Sequence, residues 1–330
     1  IPSLSQNGLP AFAAGSEGEG PLLLFRPPDY IPETIAETPG GFISLCALEW
    51  KGRPLLVASC NFTPGFQGAA CELRLYPLDD PSRPPRVLLP LPYAHRLATA
   101  RLKGEERLFA STLCSRKAHK EDWSEPGGIY IVTLPSDDEA CPSATCVLGG
   151  LRKNHGFDRA RIDGRDGFLL SAQDGLFWLP LADTDGREPW QAESIGHDEC
   201  SDAWAYDWEG PGKPVVFAIT PFHGNVVSAY RRRGDGWVRH VIWEDLDFGH
   251  VLWAGELLGT PTLLAGSRRS RQELRLSRGH LVPDAGASYD TLDIGVGAAQ
   301  TVFLARDAHS ALMVATAQAQ NTVVLYELSR

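Results

Sequence analysis

The chain has 330 residues, and its 41 Asp and Glu residues outnumber its 31 Lys and Arg residues, giving a formal charge of −10. This negative charge opposes binding to nucleic acids and to anionic membrane surfaces. An apolar fraction of 43% excludes a wholly disordered chain, and no apolar run approaches the roughly 18 residues that cross a bilayer. We therefore expect a globular protein with neither a nucleic acid nor a membrane partner.

Short apolar stretches separated by turns run along the whole chain. The 33 Gly and 25 Pro residues leave few segments long enough for helices, which both residue types disfavour. Residues 11–27 look like the later strands of a repeat, and a first complete three-strand copy follows at residues 43–48, 54–60 and 72–78. These features predict an all-β chain.

The three-strand pattern recurs along the chain. It returns at residues 97–102, 107–113 and 128–134, again at 159–162, 168–172 and 176–181, and in three further copies that begin near Ala203, Val251 and Gln300. Copies roughly 47 to 61 residues apart are typical of the four-stranded blades of a β-propeller. We predict one β-propeller domain over residues 1–330 with seven blades, closed by strands from both termini. Six blades and a pair of β-sandwiches are the alternatives.

The chain starts at Ile1, and its only methionine is Met313. A secretory signal peptide removed before Ile1 accounts for this start, and trimming of the chain is the alternative explanation. The sequon at residues 61–63 makes Asn61 a candidate glycosylation site. Together these features predict a secreted glycoprotein.

Seven cysteines favour an oxidising compartment. Cys141 and Cys146 could close a small loop, and Cys60 and Cys71 could join two strands of a hairpin, while the odd count leaves at least one thiol unpaired. No Cys-x-x-Cys motif is present, which excludes zinc ribbons and thioredoxin-like redox centres. We expect disulfides, with the pairing left open.

Polar residues recur at two places in the repeat: the start of the first strand, and the loop between the second and third strands. In a propeller blade these two places lie at the same end of the central channel. Five of the nine histidines occupy them: His95, His155, His197, His223 and His250. Because imidazole titrates near neutral pH, such rings can act as general acids and bases or bind a metal. We predict that all five surround one pocket, and that every one except His197 is catalytic.

Further residues at the same places are candidates for substrate binding. They are Asn154, Gln173, His197, Asp202 and Asn225. Arg268 follows a second strand in the same way and is a catalytic candidate, because a guanidinium can stabilise the oxygen of an enolate. Trp204 and Trp253 either pack between blades or line the pocket mouth, where they would suit a flat, apolar substrate.

Residues 221–268 contain four motifs in order: His-Gly-Asn at 223–225, Trp-x-Arg-His-Val at 237–241, Gly-His at 249–250 and Gly-x-Arg at 266–268. Over about 50 residues this order resembles the propeller domain of aldos-2-ulose dehydratases, within the wider integrin-type, FG-GAP-like propellers. The resemblance implies a seven-bladed propeller and a lyase that removes water from a ketosugar. It also implies site roles for His223, Asn225, His250 and Arg268.

The cofactor expectations follow from motifs that the sequence lacks. Turns that carry calcium sites in the family are poor in carboxylates at residues 161–167 and 206–210. The sequence also contains no Walker A motif, no His-Glu-x-x-His and no dinucleotide fingerprint in a βαβ setting. We therefore expect that no cofactor is required. A single divalent metal held by the channel histidines is the remaining option.

Three classes of function fit these features, each with a small-molecule or macromolecular ligand. The first is a non-redox lyase that dehydrates a small hydroxy-carbonyl molecule by histidine acid–base catalysis. The second is a natural-product cyclase, which would form an enone or quinone methide and hold it for a cycloaddition. The third is a non-catalytic glycan- or protein-binding propeller, for which aromatic platforms would be more typical than histidines. We favour the lyase, and the sequence indicates no oligomeric state.

Overall fold

The computed structural model describes residues 1–80, 83–134, 141–182, 189–279, 281 and 287–330. Within these residues the regular structure consists of 27 β-strands and two three-residue 3-10 helices, Pro2–Leu4 and Gln318–Gln320. The all-β prediction is confirmed. None of the helices in the described part of the chain is long and apolar enough to cross a membrane.

The strands form seven antiparallel sheets, each made of strands that follow one another along the chain. Each sheet corresponds to one copy of the sequence repeat and is one blade of a seven-bladed β-propeller. The alternatives of six blades and of two sandwiches are therefore wrong. The chain divides into two compact units, Ile1–His155 with Leu181–Gln191 (unit 1) and Gly156–Pro180 with Ala192–Arg330 (unit 2). The assignment of residues 1–330 to one domain stays a prediction.

Unit 1 carries three blades. The first blade consists of β1 (Phe12–Gly15), β2 (Leu22–Phe25) and β3 (Pro32–Ala36). The second consists of β4 (Ser44–Trp50), β5 (Arg53–Cys60), β6 (Glu72–Pro77) and β7 (Arg86–Pro90). The third consists of β8 (Ala94–Leu102), β9 (Glu105–Thr112), β10 (Cys114–Arg116), β11 (Glu125–Thr133) and β12 (Ser143–Leu151). The first strands β1, β4 and β8 contact one another in turn, so they form the inner edges of these blades.

Unit 2 carries four blades. The first two are β13 (Gly156–Ile162), β14 (Arg165–Ala172), β15 (Gly175–Pro180) and β16 (Glu193–Gly196), then β17 (Ala203–Tyr206), β18 (Val215–Thr220), β19 (Val226–Arg233) and β20 (Gly236–Trp243). The last two are β21 (Gly249–Leu257), β22 (Thr260–Ser267), β23 (Leu274–Arg278) and β24 (Asp290–Asp293), then β25 (Ala298–Arg306), β26 (Ser310–Ala317) and β27 (Thr322–Ser329). Here too the first strands β13, β17, β21 and β25 contact one another in order.

The second strands of the blades hold much of the apolar core. All six residues of β18 are buried, as are the last six residues of β5, of β14 and of β22. Continuous burial means that both faces of these strands are covered, and it explains why their sequences are continuous apolar runs ending in small residues. The outer strands β7 and β27 alternate between more and less exposed positions instead.

The two terminal sheets are each built from consecutive strands of one terminus. Among the described residues, the N-terminal sheet contains β1, β2 and β3 alone, and the C-terminal sheet contains β25, β26 and β27 alone. A sheet that combines strands from both termini is therefore not formed. The reason is that residues 12–36 supply three strands that pair with each other, with one register shift between β2 and β3, so they build a blade of their own.

None of the seven cysteines is in a disulfide, so the expected disulfides are not formed. Cys60 and Cys71 are buried at the two ends of the β5–β6 connection, and burial raises the pKa of each thiol to about 12. Cys141 and Cys146 are both exposed. In the buried positions the cysteines pack as small apolar residues, which is a common role of free cysteine.

Candidate active site

In unit 1 the structure brings His95 and His155 together. His95 is the second residue of β8, His155 directly precedes β13, and both side chains are buried. Their ring centroids lie 4.4 Å apart, and Nδ1 of His95 is 3.1 Å from the backbone carbonyl oxygen of His155. Since a carbonyl only accepts hydrogen bonds, Nδ1 of His95 is the donor. In the neutral ring of His95, Nε2 therefore carries the lone pair.

Asn154 lies next to this pair and is wholly buried. Its backbone N–H donates to the carbonyl of Leu113, at 3.4 Å. Neither Oδ1 nor Nδ2 of its side chain has a hydrogen-bond partner in the described part of the chain. A buried amide left in this state costs about 1–3 kcal/mol, so the group is suited to bind a polar ligand or an ordered water.

In unit 2 the structure brings His223 and His250 together. His250 is the second residue of β21, the same position that His95 holds in β8, and its Nδ1 is 2.9 Å from the carbonyl oxygen of Ala299. Nδ1 is therefore the donor, and Nε2 of the neutral ring carries the lone pair. The ring of His223 stacks on that of His250 with a centroid distance of 5.1 Å.

His223 is held in a left-handed backbone conformation, with φ 48°. Non-glycine residues adopt this conformation rarely, and it is more common where the surrounding structure fixes a functional side chain. The His223 ring also contacts Phe222, at 4.3 Å between centroids, and Phe248, at 4.6 Å. The imidazole thus lies between two aromatic rings and a second imidazole.

A ladder of backbone hydrogen bonds fixes the loop that carries His223. The N–H of Gly249 donates to the carbonyl of Gly224, at 2.9 Å. The N–H of Arg268 donates to the carbonyl of Phe248, at 3.0 Å, and the N–H of Gly297 donates to the carbonyl of Gln272, at 3.1 Å. The loops of three successive blades are therefore tied to one another through their backbones.

Asn225 and Arg268, which the family resemblance assigns to the site, have different placements. The Asn225 side-chain amide donates to the backbone carbonyl of Glu244, at 2.8 Å, so it anchors one loop to the next. Arg268 directly follows β22, and its guanidinium carbon lies 5.7 Å from the centroid of the Phe248 ring. It lines a cleft of about 340 Å³ on this unit. The structure thus gives Asn225 an anchoring contact and Arg268 a ligand-accessible position.

The other predicted polar binding residues of unit 2 are His197, Asp202 and Gln173. His197 is exposed after β16, the fourth strand of its blade, rather than at the start of a first strand. Asp202 is buried directly before β17, and its backbone carbonyl accepts from the N–H of Ile219, at 3.0 Å. Gln173 lies in the turn after β14, and its buried Oε1 has no hydrogen-bond partner among the described residues. Gln173 therefore resembles Asn154 in having a buried amide oxygen without a hydrogen-bond partner in the described part of the chain.

Trp204 and Trp253 pack into the apolar core. Trp253 is 7% exposed, and its ring centroid lies 4.4 Å from that of Phe303. Trp204 is partly buried and contacts the apolar clusters of both β18 and β21. These positions are those of packing residues, which is the role that the sequence left open beside substrate binding.

Two features of the site were missed by sequence reasoning. Phe222 and Phe248 flank His223, yet their rings were not distinguished from other apolar residues near turns. The available signal was position: Phe222 directly precedes His223, and Phe248 directly precedes the Gly-His motif at the start of β21.

Asn61 lies at a turn after β5 with φ 61°, and its glycosylation stays a prediction.

Comparison with known proteins identifies the fold. No family model and no curated protein matches the sequence. Among solved structures, a provisionally assigned 6-phosphogluconolactonase of Bacteroides uniformis is 11% identical, with 97% of this chain and 96% of that chain covered and a TM-score of 0.55. A second such protein, of Bacteroides fragilis, is 12% identical, with 98% and 96% covered and a TM-score of 0.54. BBS1N, solved in complex with ARL6DN, is 12% identical, with 98% and 88% covered and a TM-score of 0.56.

These neighbours share the fold and little sequence, and one fold can host unrelated functions. They therefore carry no residue assignment to this chain. Membership of the aldos-2-ulose dehydratase family stays a prediction. So does the convergence of the two histidine pairs on one pocket.

Proposed function

We propose that this protein is a non-redox lyase that removes water from a small hydroxy-carbonyl molecule. The observation that carries the proposal is the stacked pair of His223 and His250, in which the Ala299 carbonyl fixes the tautomer of His250. Dehydration next to a carbonyl needs one group to remove a proton and one to protonate the departing hydroxyl. Two adjacent imidazoles can supply both.

The proton steps assign one role to each ring. Nε2 of His250 holds the lone pair and removes the proton on the carbon next to the substrate carbonyl, which leaves an enolate. His223, in its protonated form, gives a proton to the hydroxyl group as the carbon–oxygen bond breaks, so one water molecule leaves. Arg268 would stabilise the enolate oxygen, since the Asn225 amide is engaged with Glu244.

Electrostatics favours this division of roles. Two imidazolium rings stacked with centroids 5.1 Å apart repel each other. This repulsion disfavours protonation of both rings at once, and the reaction needs only one charged and one neutral ring, as acid and base. Transfer of a proton from His250 back to His223 after water release would restore the starting state.

A cyclase is the second candidate, and the aromatic flanks of His223 favour it. Phe222 and Phe248 lie within 4.6 Å of the imidazole, centroid to centroid. Aromatic faces hold flat conjugated molecules well. The same acid and base could dehydrate a benzylic alcohol to a quinone methide, which the aromatic rings would hold for a cycloaddition.

The test is turnover of two substrates by the wild-type protein and by His223→Asn and His250→Asn variants. Asn tolerates the left-handed backbone at position 223, and at position 250 its amide can still donate towards the Ala299 carbonyl. We expect dehydration of a ketosugar by the wild type, and rates lower by about 10²–10⁴-fold in each variant. His309→Asn, the same change at an exposed histidine, should leave the rate unchanged.

The other results separate the alternatives. Turnover of a benzylic alcohol alone would move the assignment to the cyclase. Binding of ligands without turnover of either substrate would support a non-catalytic propeller and overturn both proposals. Turnover that stops after chelation and returns with added zinc would assign the imidazoles to a metal, whereas full turnover after chelation supports acid–base use.

A further inference from the structure

A cleft of about 340 Å³ lies on unit 2 beside the histidine pair. Its walls include Arg268 and Arg269, the amide side chains of Gln272 and Gln318, and the ring of Phe248. Phe248 also contacts His223, at 4.6 Å between ring centroids, so the cleft and the His223 imidazole have this phenyl ring as a common neighbour. A cleft of this size can hold a small molecule or one end of it.

The two arginines place positive charge over one aromatic face. The guanidinium carbon of Arg269 lies 4.5 Å from the centroid of the Phe248 ring, and that of Arg268 lies 5.7 Å from it. A guanidinium stacked on a ring has fewer accessible orientations and keeps its N–H donors at its edge. The cleft therefore presents two cations and two amides, and none of its described lining residues is acidic.

Backbone contacts hold both arginines in place. The N–H of Arg268 donates to the Phe248 carbonyl, and the N–H of Arg269 donates to the Asp247 carbonyl, at 3.2 Å. The turn that follows closes with a hydrogen bond from the N–H of Gln272 to the Arg269 carbonyl, at 2.9 Å. The cleft wall is thus formed by a fixed turn rather than by an unconstrained loop.

Two carboxylates beside this turn, those of Asp247 and Glu273, contact residues that do not line the cleft. Asp247 accepts a hydrogen bond from the hydroxyl of Ser270. Glu273 is buried and pairs with Arg275, at 2.5 Å, while its second oxygen lies 3.6 Å from Nε of Arg271. The positive charge of the cleft contrasts with the chain's overall charge of −10, so it is a local feature of this site.

We infer that this cleft binds an oxyanion, a carboxylate or a phosphate, at one end of a small substrate, with Arg269 as the main ligand. Guanidinium groups match both oxyanions with two parallel hydrogen bonds. This inference rests on the proposed function, because it places the hydroxy-carbonyl part of the substrate at the imidazoles next to Phe248, where Arg268 can also reach it. It implies that a ketosugar carrying a carboxylate or phosphate is a better substrate than a neutral one.

The test measures binding alone, by isothermal titration calorimetry at low ionic strength. The probes are inorganic phosphate, D-gluconate and neutral D-glucose, and the variants are Arg269→Gln and Arg271→Gln. The second variant removes the same charge two residues away, at a side chain that points to Glu273. We expect phosphate or gluconate to bind and glucose not to bind. We also expect R269Q to weaken binding by about tenfold or more and R271Q to leave it unchanged.

The two anionic probes distinguish a phosphate site from a carboxylate site. Absence of binding by both, or equal weakening in R269Q and R271Q, would overturn the inference. His250→Asn should bind the anion as the wild type does, because His250 does not line the cleft. Anion binding that depends on Arg269, in a protein that turns over nothing, would refute the lyase proposal and leave the oxyanion site standing.

Discussion

His250 donates a hydrogen bond from Nδ1 to the backbone carbonyl of Ala299, 2.9 Å away, and so links β21 to β25. His95 makes the equivalent contact in unit 1, where its Nδ1 lies 3.1 Å from the carbonyl of His155. Each donor is the second residue of a blade's first strand. Histidine at this place in the repeat therefore joins neighbouring segments and leaves Nε2 with the lone pair.

Replacing His250 should separate its structural contact from its chemistry. We expect His250→Leu to lower the free energy of unfolding by about 1–3 kcal/mol, because the Ala299 carbonyl loses its donor. His250→Asn should cost less, since an amide can donate at the Nδ1 position. Urea denaturation of both variants measures this difference. Equal losses in the two would show that ring packing, and not the hydrogen bond, stabilises the site.

The buried ion pair of Glu273 and Arg275 should be sensitive to loss of one partner. Their side chains are 2% and 4% exposed, and Arg275 also reaches Asp245, at 2.6 Å. We expect Glu273→Leu to lower the free energy of unfolding by about 1.5–3 kcal/mol, because the buried guanidinium loses its charged hydrogen bonds to Glu273 and keeps only those to Asp245. The double variant with Arg275→Met should regain most of that loss.

The matched control for Glu273 is an exposed pair. Arg116 and Glu125 lie 3.3 Å apart with side chains 77% and 46% exposed. Glu125→Leu should change stability by about 0–1 kcal/mol, since water screens such pairs. Chemical denaturation of the three variants gives the comparison, and a loss in Glu273→Leu no greater than in Glu125→Leu would contradict the expectation.

The buried thiols predict a loss of stability at high pH. Burial raises the pKa of Cys60, Cys71 and Cys200 to about 12, and that of Cys114 to about 11, from an ordinary value of 9.0. The folded protein keeps protons that the unfolded chain releases above pH 9. This stabilisation is therefore complete below about pH 9 and is lost as pH rises towards 12.

The measurement for the thiols is urea denaturation at a series of pH values up to about 11. The free energy of unfolding should fall with rising pH above about 9. In Cys200→Ala it should fall less steeply, because one thiol with a raised pKa has been removed. Alkylation of the native protein gives an independent readout. Cys141, which is exposed, should react before the buried thiols do.

Much of the fold follows from periodicity, because each blade is a local unit whose strands are adjacent in sequence. The three-strand copies predicted at residues 43–78 and 159–181 correspond to β4–β6 and β13–β15 within a few residues. The start-of-strand positions of His95 and His250 were predictable for the same reason. The absence of disulfides was not predictable, since paired and unpaired cysteines differ in their three-dimensional separation and not in sequence pattern.

The site was only partly predictable, since side-chain direction is set by contacts between blades. Asn225 shares the loop of His223, yet its amide turns to the Glu244 carbonyl. His197 was predicted to lie at the start of a blade's first strand. Instead it directly follows β16, the fourth strand of the preceding blade, and its ring is exposed. Phe248 is an apolar residue beside a turn in the sequence, and only the fold brings it against His223 and Arg269.

Two glycines with the same backbone conformation should respond differently to alanine. Gly41 and Gly52 have φ 60° and 73°, so Cβ strain of about 1 kcal/mol applies to both. At Gly52 a Cβ would meet nothing within 4 Å, whereas at Gly41 it would lie 2.5 Å from the carbonyl oxygen and 2.6 Å from the nitrogen of Phe62. Backbone cannot move aside as a side chain can, and Phe62 is fully buried. We expect Gly52→Ala to lower the free energy of unfolding by about 1 kcal/mol and Gly41→Ala to lower it by about 2–4 kcal/mol, because overpacking adds to the strain at Gly41. Urea denaturation measures both losses. Equal losses would mean that the backbone around Phe62 moves to accommodate the added atom.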